Sequence, residues 1–129
     1  MILPITLSAA AAAAIINIWL AIRCGQVRTA EKISMGDGGN EKLIARMRAH
    51  ANFVENTPFV LVLIAALELA IGGGTALAVV AGVYMVGRVA HGLGMDGGSM
   101  AKGRMIGTMI TLLTQLGLAI WAILTALGH

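Results

Sequence analysis

Four apolar stretches of about 20 residues each alternate with short glycine-rich clusters, and this pattern constrains the fold more than any other feature of the sequence. An α-helix of that length measures about 30 Å, which is the thickness of the hydrocarbon layer of a bilayer. Because lipid offers no hydrogen-bond partner to a free backbone amide, each stretch is predicted to be a membrane-spanning helix. The stretches are residues 3–23, 50–71, 75–95 and 105–127.

The glycine clusters predict where these helices begin and end. They are GDGGN (36–40), GGG (72–74) and DGGS (96–99). The second helix is expected to begin before its apolar part, near residue 41, with Asn40 as its amino-terminal cap. The sequence therefore predicts an all-α integral membrane protein, a four-transmembrane-helix bundle built from a single domain over residues 1–129. The predicted helices cover residues 3–23, 41–71, 75–95 and 103–127.

Composition supports a membrane protein and excludes several function classes. The chain is 58% hydrophobic and 12% charged, whereas a soluble domain is about half apolar and about a quarter charged. The three histidines lack the spacing of metal ligands. The sequence contains no phosphate-binding loop, no serine nucleophile motif and no nucleic-acid-binding patch. The predicted partner is thus the lipid bilayer, with neither a metal nor a nucleic acid.

The basic residues are confined to two of the predicted connections and the helix ends beside them. By the positive-inside rule both basic loops are predicted to face the cytoplasm, with both chain termini on the opposite side. No positive residue precedes the first apolar stretch, so that stretch is expected to remain as a membrane helix rather than a cleaved signal. The basic residues are Arg23, Arg28, Lys32, Lys42, Arg46, Arg48, Arg88, Lys102 and Arg104.

A polar stripe enters the membrane on the second helix. Arg48, Asn52 and Glu55 are spaced four and three residues apart, and so fall within an arc of about 60°. Because a charge at the bilayer centre costs at least ~2.5–3.5 kcal/mol, the stripe should face another helix or a water-filled cavity. Two interpretations remain open at this point. The stripe binds a ligand, or it forms structural ion pairs, Arg48 with Glu55 or Glu55 with Arg88.

Other polar residues within the spans carry weaker predictions. Arg88 and His91 are three residues apart on the third helix and share a face, where His91 is either a proton carrier or a polar anchor. Asn17 lies deep in the first helix and needs a hydrogen-bond partner. Pro58 should kink the second helix beyond the polar stripe. Glu68, near the outer end of that helix, is expected to reach the surface and is assigned no role.

The segment RAHANFVENTPF (48–59), with a basic loop before it and a long apolar run after it, resembles the MAPEG family. These are membrane-associated proteins in eicosanoid and glutathione metabolism, and the chain is similar to bacterial-type members. The resemblance implies a homotrimer of four-helix subunits with glutathione bound between neighbouring subunits, near the cytoplasmic face. Arg48, Asn52 and Glu55 match the glutathione-contacting positions of the family's second helix.

The resemblance also implies roles for basic residues outside the stripe. Arg88 and His91 match an arginine and a tyrosine among the glutathione contacts on the third helix. Arg28 matches a basic position at the end of the first helix. Arg104 matches the arginine that stabilises the thiolate, with Lys102 as the alternative register.

The chain departs from the family pattern at Asn56, His91 and Met95, where the family often has tyrosines.

Three hypotheses of function follow. The first is a glutathione-binding membrane enzyme, of transferase or peroxidase type, which acts on a lipophilic small-molecule electrophile. In it Arg28 or Arg104 stabilises a thiolate by lowering the pKa of the thiol. The second is a non-enzymatic trimeric scaffold or lipid-binding protein. The third is a small transporter that uses Glu55 and His91 as a proton relay.

Overall fold

The computed structural model describes residues 1–129, and its backbone is almost entirely helical. Its elements are α1 (Pro4–Glu31), α2 (Glu41–Ile71), α3 (Thr75–Gly94) and α4 (Lys102–Ala126), with one short 3₁₀ turn at Gly98–Met100. Four helices are long and apolar enough to cross a membrane. The prediction of an all-α bundle of four membrane helices is therefore confirmed.

The first helix is longer than its apolar stretch. We expected it to end near residue 23, but α1 continues to Glu31. The residues after Arg23 are polar yet compatible with a helix, and Val27 among them is buried against the rest of the protein. The helix ends only at Lys32, which adopts a left-handed conformation with φ of 55°. Tertiary contacts, among them the burial of Val27 and the Arg46–Gln26 hydrogen bond at 3.2 Å, thus accompany the two turns of α1 beyond the apolar stretch.

The amino terminus of α1 is capped by an acid from another helix, and here the expectation for Glu68 was wrong. Glu68 is only 3% exposed. Its carboxylate oxygens accept hydrogen bonds from the backbone N–H groups of Ile5 (2.9 Å) and Thr6 (2.8 Å). Since α1 has no capping side chain of its own, these free amides are satisfied by a carboxylate instead of by water. Glu68 therefore faces inward and joins α2 to α1.

The second helix begins and ends with residues suited to those positions. The Asn40 side chain accepts a hydrogen bond from the Leu43 backbone N–H at 2.9 Å, as expected of an amino-terminal cap. Gly72 ends the helix with φ of 79°, a conformation that favours glycine. Between them α2 runs through Pro58 without a break in its helical assignment. The long helix thus carries the whole polar stripe on one continuous element.

Helices α3 and α4 approach each other closely along a seam of glycines. A Cβ atom added to Gly94 would lie 2.0 Å from the Arg104 backbone nitrogen, and one added to Gly103 would lie 2.4 Å from the Ala90 carbonyl oxygen. One added to Gly107 would lie 2.5 Å from the His91 Cβ. Only glycine allows such backbone contact between helices. The seam fixes the start of α4 against the end of α3, and it brings Arg104 beside His91.

A cluster of charged residues holds the α3–α4 connection against the first two helices. The Asp96 carboxylate accepts hydrogen bonds from Arg46 Nε and Nη2, both at 3.2 Å, and from Arg23. The Arg46 side chain also donates to the Arg23 carbonyl oxygen at 2.8 Å, and the Arg23 guanidinium lies 5.0 Å from the Trp19 ring. This cluster fixes the connection next to the polar stripe of α2.

Candidate functional site

A cleft of about 130 Å³ lies between α2, α3 and α4, near the ends of the helices that carry the basic residues. Helices α2 and α4 each contribute two residues one turn apart, and α3 contributes one, followed one turn later by the residue just beyond its end, because side chains at positions i and i+4 share a helix face. Four of the seven residues proposed for the site from sequence come together here, namely Arg48, Asn52, His91 and Arg104. The six lining residues are Arg48, Asn52, His91, Met95, Arg104 and Thr108.

Arg88 lies behind the cleft rather than in its wall. Its side chain is 2% exposed. Nη2 donates to the Asn52 Oδ1 at 2.8 Å, and Nη1 donates to the Thr111 hydroxyl at 2.9 Å. The guanidinium carbon lies 5.8 Å from the Phe53 ring. Arg88 is therefore connected to the cleft by its hydrogen bond to Asn52.

The charge of Arg88 has no acidic partner in the chain. The salt bridges of the structure both involve Asp96, which binds Arg23 and Arg46. Neither the Arg88 Nε nor the His91 Nδ1 has a hydrogen-bond partner, although both atoms are buried. Arg48 and Arg104 add two further positive charges to the cleft wall, which contains no acid. A buried and unpaired cation is costly, so this arrangement favours an anionic ligand.

Glu55 lies outside the cleft, on the exposed surface of α2. Neither ion pair considered from the sequence forms, since no salt bridge includes Glu55 and Arg88 bonds to an amide and a hydroxyl instead. The two ion pairs considered from the sequence are therefore absent, although Asn52 of the stripe does bond to Arg88. The Glu55 carboxylate is left exposed and without a salt bridge.

Arg28 also lies apart from the cleft. Its Nη1 donates to the Gly36 carbonyl oxygen at 2.7 Å, and its Nη2 lies 3.7 Å from the Met47 sulfur. It lines a separate open surface cleft of about 480 Å³ together with Lys32. Arg28 thus holds the α1–α2 connection, whereas Arg104 lines the cleft.

The family assignment agrees with this geometry. A sequence model described as the MAPEG family matches residues 6–124, which is nearly the whole chain. The chain belongs to the MAPEG family. No curated protein matches it. Membership relates this MAPEG protein to glutathione-dependent membrane proteins in general.

The positions where this MAPEG chain departs from the family pattern have structural roles of their own. Asn56 donates from Nδ2 to the Asn52 carbonyl oxygen at 2.8 Å, and its Oδ1 accepts a hydrogen bond from Gln115 Nε2 at 2.8 Å. Met95 and His91 line the cleft. At Asn56 an amide therefore links α2 to α4, where a tyrosine is frequent in the family.

Sequence reasoning missed a polar layer of the MAPEG bundle. Gln115 and Thr111 of α4 bond to residues of α2 and α3, and the hydroxyls of Thr57 and Tyr84 lie 2.9 Å apart. The signal was available, because Gln115 interrupts the apolar run of α4 and an amide inside a membrane helix needs a partner. Asn17, by contrast, was expected to need one, and its Oδ1 lies 2.7 Å from the His50 Nε2.

Two apolar grooves lie on the surface of the MAPEG bundle. One, of about 420 Å³, runs between α1 and α3, and Ala9 and Met85 are among its lining residues. The other, of about 430 Å³, runs between α3 and α4, with Val83 and Trp121 in its wall. Both are open, and both have the size and apolar lining of small-molecule sites.

Proposed function

We propose that this protein is a glutathione-binding membrane enzyme of transferase or peroxidase type, which acts on lipophilic electrophiles as a homotrimer. The observation that carries this proposal is the cationic cleft, in which Arg48 and Arg104 face the same space and the unpaired Arg88 lies directly behind Asn52. Such a site suits a ligand with several negative groups, and family membership supports glutathione as that ligand.

The residues that could bind glutathione lie partly inside the cleft and partly outside it. Its carboxylates and thiolate suit the donors Arg48, Asn52 and Arg104 of the cleft, and its ammonium suits the exposed carboxylate of Glu55. One cleft of about 130 Å³ is smaller than the roughly 300 Å³ at which small-molecule sites begin. A tripeptide therefore needs further walls, and a neighbouring subunit would supply them. This supports a ligand site between subunits, with Arg28 contributed by the neighbour.

Arg104 is the residue we assign to thiolate stabilisation. When bound, glutathione supplies the nucleophilic thiol. A guanidinium beside the sulfur favours the charged form and so lowers the pKa of the thiol. Arg104 lines the cleft and is fixed by the glycine seam, whereas Lys102 does not line it. Arg28 could serve the same purpose only from another subunit, because it lines a separate cleft of its own subunit.

The lipophilic substrate would approach from the bilayer. The grooves between α1 and α3 and between α3 and α4 are open along the apolar surface of the bundle. By the positive-inside rule, the basic loops and the end of the bundle that holds the cleft face the cytoplasm, and both chain termini lie on the opposite side. The polar reactant then meets the site from water and the apolar one from lipid.

The second candidate is a non-enzymatic trimeric scaffold or lipid-binding protein. It is favoured by the polar layer, in which Asn52, Asn56, Arg88, Thr111 and Gln115 bond to one another within one subunit. A network of this kind also stabilises a bundle that binds nothing.

Calorimetry on the purified protein in detergent separates the two candidates. Wild type is titrated with glutathione, beside Arg48→Ala, Glu55→Gln and the control Lys42→Ala, which changes an exposed cation on the same helix outside the cleft. The enzyme proposal expects saturable binding by wild type and the control, and loss of binding in both Arg48→Ala and Glu55→Gln. An intact trimer that takes up no glutathione at millimolar concentration would support the scaffold. Turnover of an aromatic chloride or a lipid hydroperoxide then separates an enzyme from a binder.

A further inference from the structure

We propose that Arg88 is a positioning residue: it fixes the side-chain amide of Asn52 so that the NH₂ group serves the cleft, which then selects a carboxylate over a neutral carboxamide. The inference deepens the proposed function, since it names the chemical group that the cleft recognises. It rests on the contacts of Arg88 and Asn52, and its central test requires no glutathione.

The orientation of the Asn52 amide follows from the chemistry of its partner. Arginine has five N–H donors and no acceptor, so only an oxygen can face it favourably. The Asn52 Oδ1 accepts from Arg88 Nη2 at 2.8 Å. The reverse orientation would set an NH₂ group against another NH₂ group. Both hydrogens of the Asn52 NH₂ therefore remain for the cleft, which Asn52 lines.

Arg88 is itself held in place. Its Nη1 donates to the Thr111 hydroxyl at 2.9 Å, and both residues are 2% exposed. The Phe53 ring lies 5.8 Å from its guanidinium carbon. A side chain that is buried between three helices and fixed at two nitrogens cannot turn to follow a flipping amide. The Asn52 amide therefore takes the orientation that the fixed Arg88 guanidinium requires.

The two guanidinium groups of the cleft wall have the same polarity as the Asn52 NH₂ group. Arg48 and Arg104 can only donate, and no lining residue carries a carboxylate. The Thr108 hydroxyl donates to the Arg104 carbonyl oxygen at 2.8 Å and can offer the cleft only its oxygen lone pairs. A carboxylate accepts hydrogen bonds at both oxygens, whereas a carboxamide would turn its own NH₂ group toward some of the donors. The donors, two of them charged, therefore favour a carboxylate over a carboxamide.

Nuclear magnetic resonance on protein labelled with ¹⁵N at asparagine reads the Asn52 amide directly. The chain contains only Asn17, Asn40, Asn52 and Asn56, and the Asn52 signal is assigned by its loss in Asn52→Leu. The full-length protein in detergent is titrated with acetate, with acetamide, and with sodium chloride at matched ionic strength. We expect the Asn52 NH₂ signals to shift with acetate alone, while those of Asn40, which caps α2, stay constant.

Two variants test whether Arg88 is responsible. Arg88→Met removes every donor, and we expect the half-saturating acetate concentration to rise about tenfold or more. Arg88→Gln removes the charge but keeps an NH₂ group that can face the Asn52 oxygen, and we expect it to restore most of the discrimination against acetamide. Equal loss in both variants would assign the effect to charge alone and overturn the positioning role. Asn52 NH₂ signals that do not shift with acetate in wild type would also overturn the positioning role.

Failure of the glutathione proposal gives a different result. Wild type would then respond to acetate at Asn52 but bind no glutathione in the calorimeter. Conversely, glutathione binding that Arg88→Met leaves unchanged, with no acetate response at Asn52, would retain the proposed function and reject the positioning role of Arg88.

Discussion

The Glu68 carboxylate and the Thr6 backbone N–H lie 2.8 Å apart, which joins the last turns of α2 to the first turn of α1. The second carboxylate oxygen accepts from Ile5 at 2.9 Å. The negative charge lies at the positive end of the α1 dipole and satisfies amides that α1 cannot cap itself. This contact links two helices at the end of the bundle away from the cleft.

Replacement of Glu68 tests that link. In Glu68→Gln the charge is lost and one carboxylate acceptor becomes an NH₂ group, which faces a backbone N–H. We expect a lower midpoint of thermal unfolding in detergent, by several degrees, with earlier exchange of the amide hydrogens at the start of α1. Glu31→Gln changes an exposed acid at the other end of α1 and should leave the midpoint unchanged. Equal midpoints for the two variants would contradict a capping role.

A methyl group in the α3–α4 seam should separate the two helices. In Gly107→Ala the new Cβ would lie 2.5 Å from the His91 Cβ and 2.6 Å from the Gly87 carbonyl oxygen. Such overpacking costs about 1–3 kcal/mol of unfolding free energy. It should also weaken ligand binding, because the seam positions both His91 and Arg104. Gly117→Ala on the same helix is the control, since nothing lies within 4 Å of its added Cβ. Equal stability of the two variants would show that the helices separate without cost.

Which basic residue of α4 stabilises the thiolate in the proposed reaction can be tested by replacing Arg104 and Lys102 separately. Arg104 lines the cleft and Lys102 does not. We expect Arg104→Leu to lower glutathione-dependent kcat by about 10²-fold, as loss of one charge-stabilising donor does in other enzymes. Lys102→Ala should retain wild-type kcat. The reverse result, measured with the same electrophile, would transfer the role to Lys102.

The Asn56–Gln115 hydrogen bond should contribute measurably to the bundle. Its 2.8 Å contact joins α2 to α4 inside the membrane region. A double-mutant cycle of Asn56→Ala and Gln115→Ala should give a coupling energy of about 0.6 kcal/mol, the average for hydrogen bonds between membrane helices. Unfolding in mixed detergent micelles provides the free energies. Strictly additive losses would mean that the two amides act independently.

The Asp96 cluster predicts a loss of stability in acid. Burial alone would raise the pKa of the Asp96 carboxyl, but hydrogen bonds from Arg46 and Arg23, and their charges, outweigh it and hold the pKa below the usual 3.8. A carboxyl with a lowered pKa stabilises the fold above its unfolded pKa and loses that contribution as the pH falls through the folded value. Wild type should thus lose stability below pH 3.8.

Unfolding scans at a series of pH values measure this effect. Asp96→Asn removes the titrating group, so its unfolding midpoint should be lower than that of wild type at neutral pH and should converge with it in acid. Because the Asp96 side chain is 29% exposed, the difference at neutral pH should be modest, about 1 kcal/mol or less. A constant gap between the two proteins at all pH values would exclude Asp96 as the titrating group.

Much of the fold could be predicted because the bilayer limits what an apolar stretch can form. The spacing of the glycine clusters gave four helices, and the end of α2 at Ile71 follows directly from GGG (72–74). The end of α1 could not be predicted this way, because its last two turns are polar and contact other parts of the chain, as Val27 and Gln26 do. The role of Glu68 was missed for a similar reason, since its partners are amides 62 and 63 residues away along the chain.

The candidate site was predictable in its residue types more than in its geometry. Helical spacing placed Arg48 and Asn52 together, and the structure brings His91 and Arg104, also proposed from the sequence, beside them from two other helices. Helical spacing in the sequence could not reveal that Glu55 faces outward or that Arg88 bonds to an amide instead of an acid. Those relationships depend on how far each helix is rotated about its axis, which packing against the neighbouring helices sets.

The first two helices are longer than the hydrocarbon layer is thick, and this decides whether the cleft can be reached from water, from lipid or from both. At 1.5 Å per residue α1 and α2 measure about 42 Å and about 46 Å, well beyond a hydrocarbon layer of about 30 Å. Arg48 lies only about 10 Å along α2 from Glu41, at the overhanging end. In the proposed reaction, a hydrophilic reactant would reach this level by diffusion in water, and a lipophilic one by lateral diffusion in the leaflet. Neither would have to partition into the other's solvent for the two to meet.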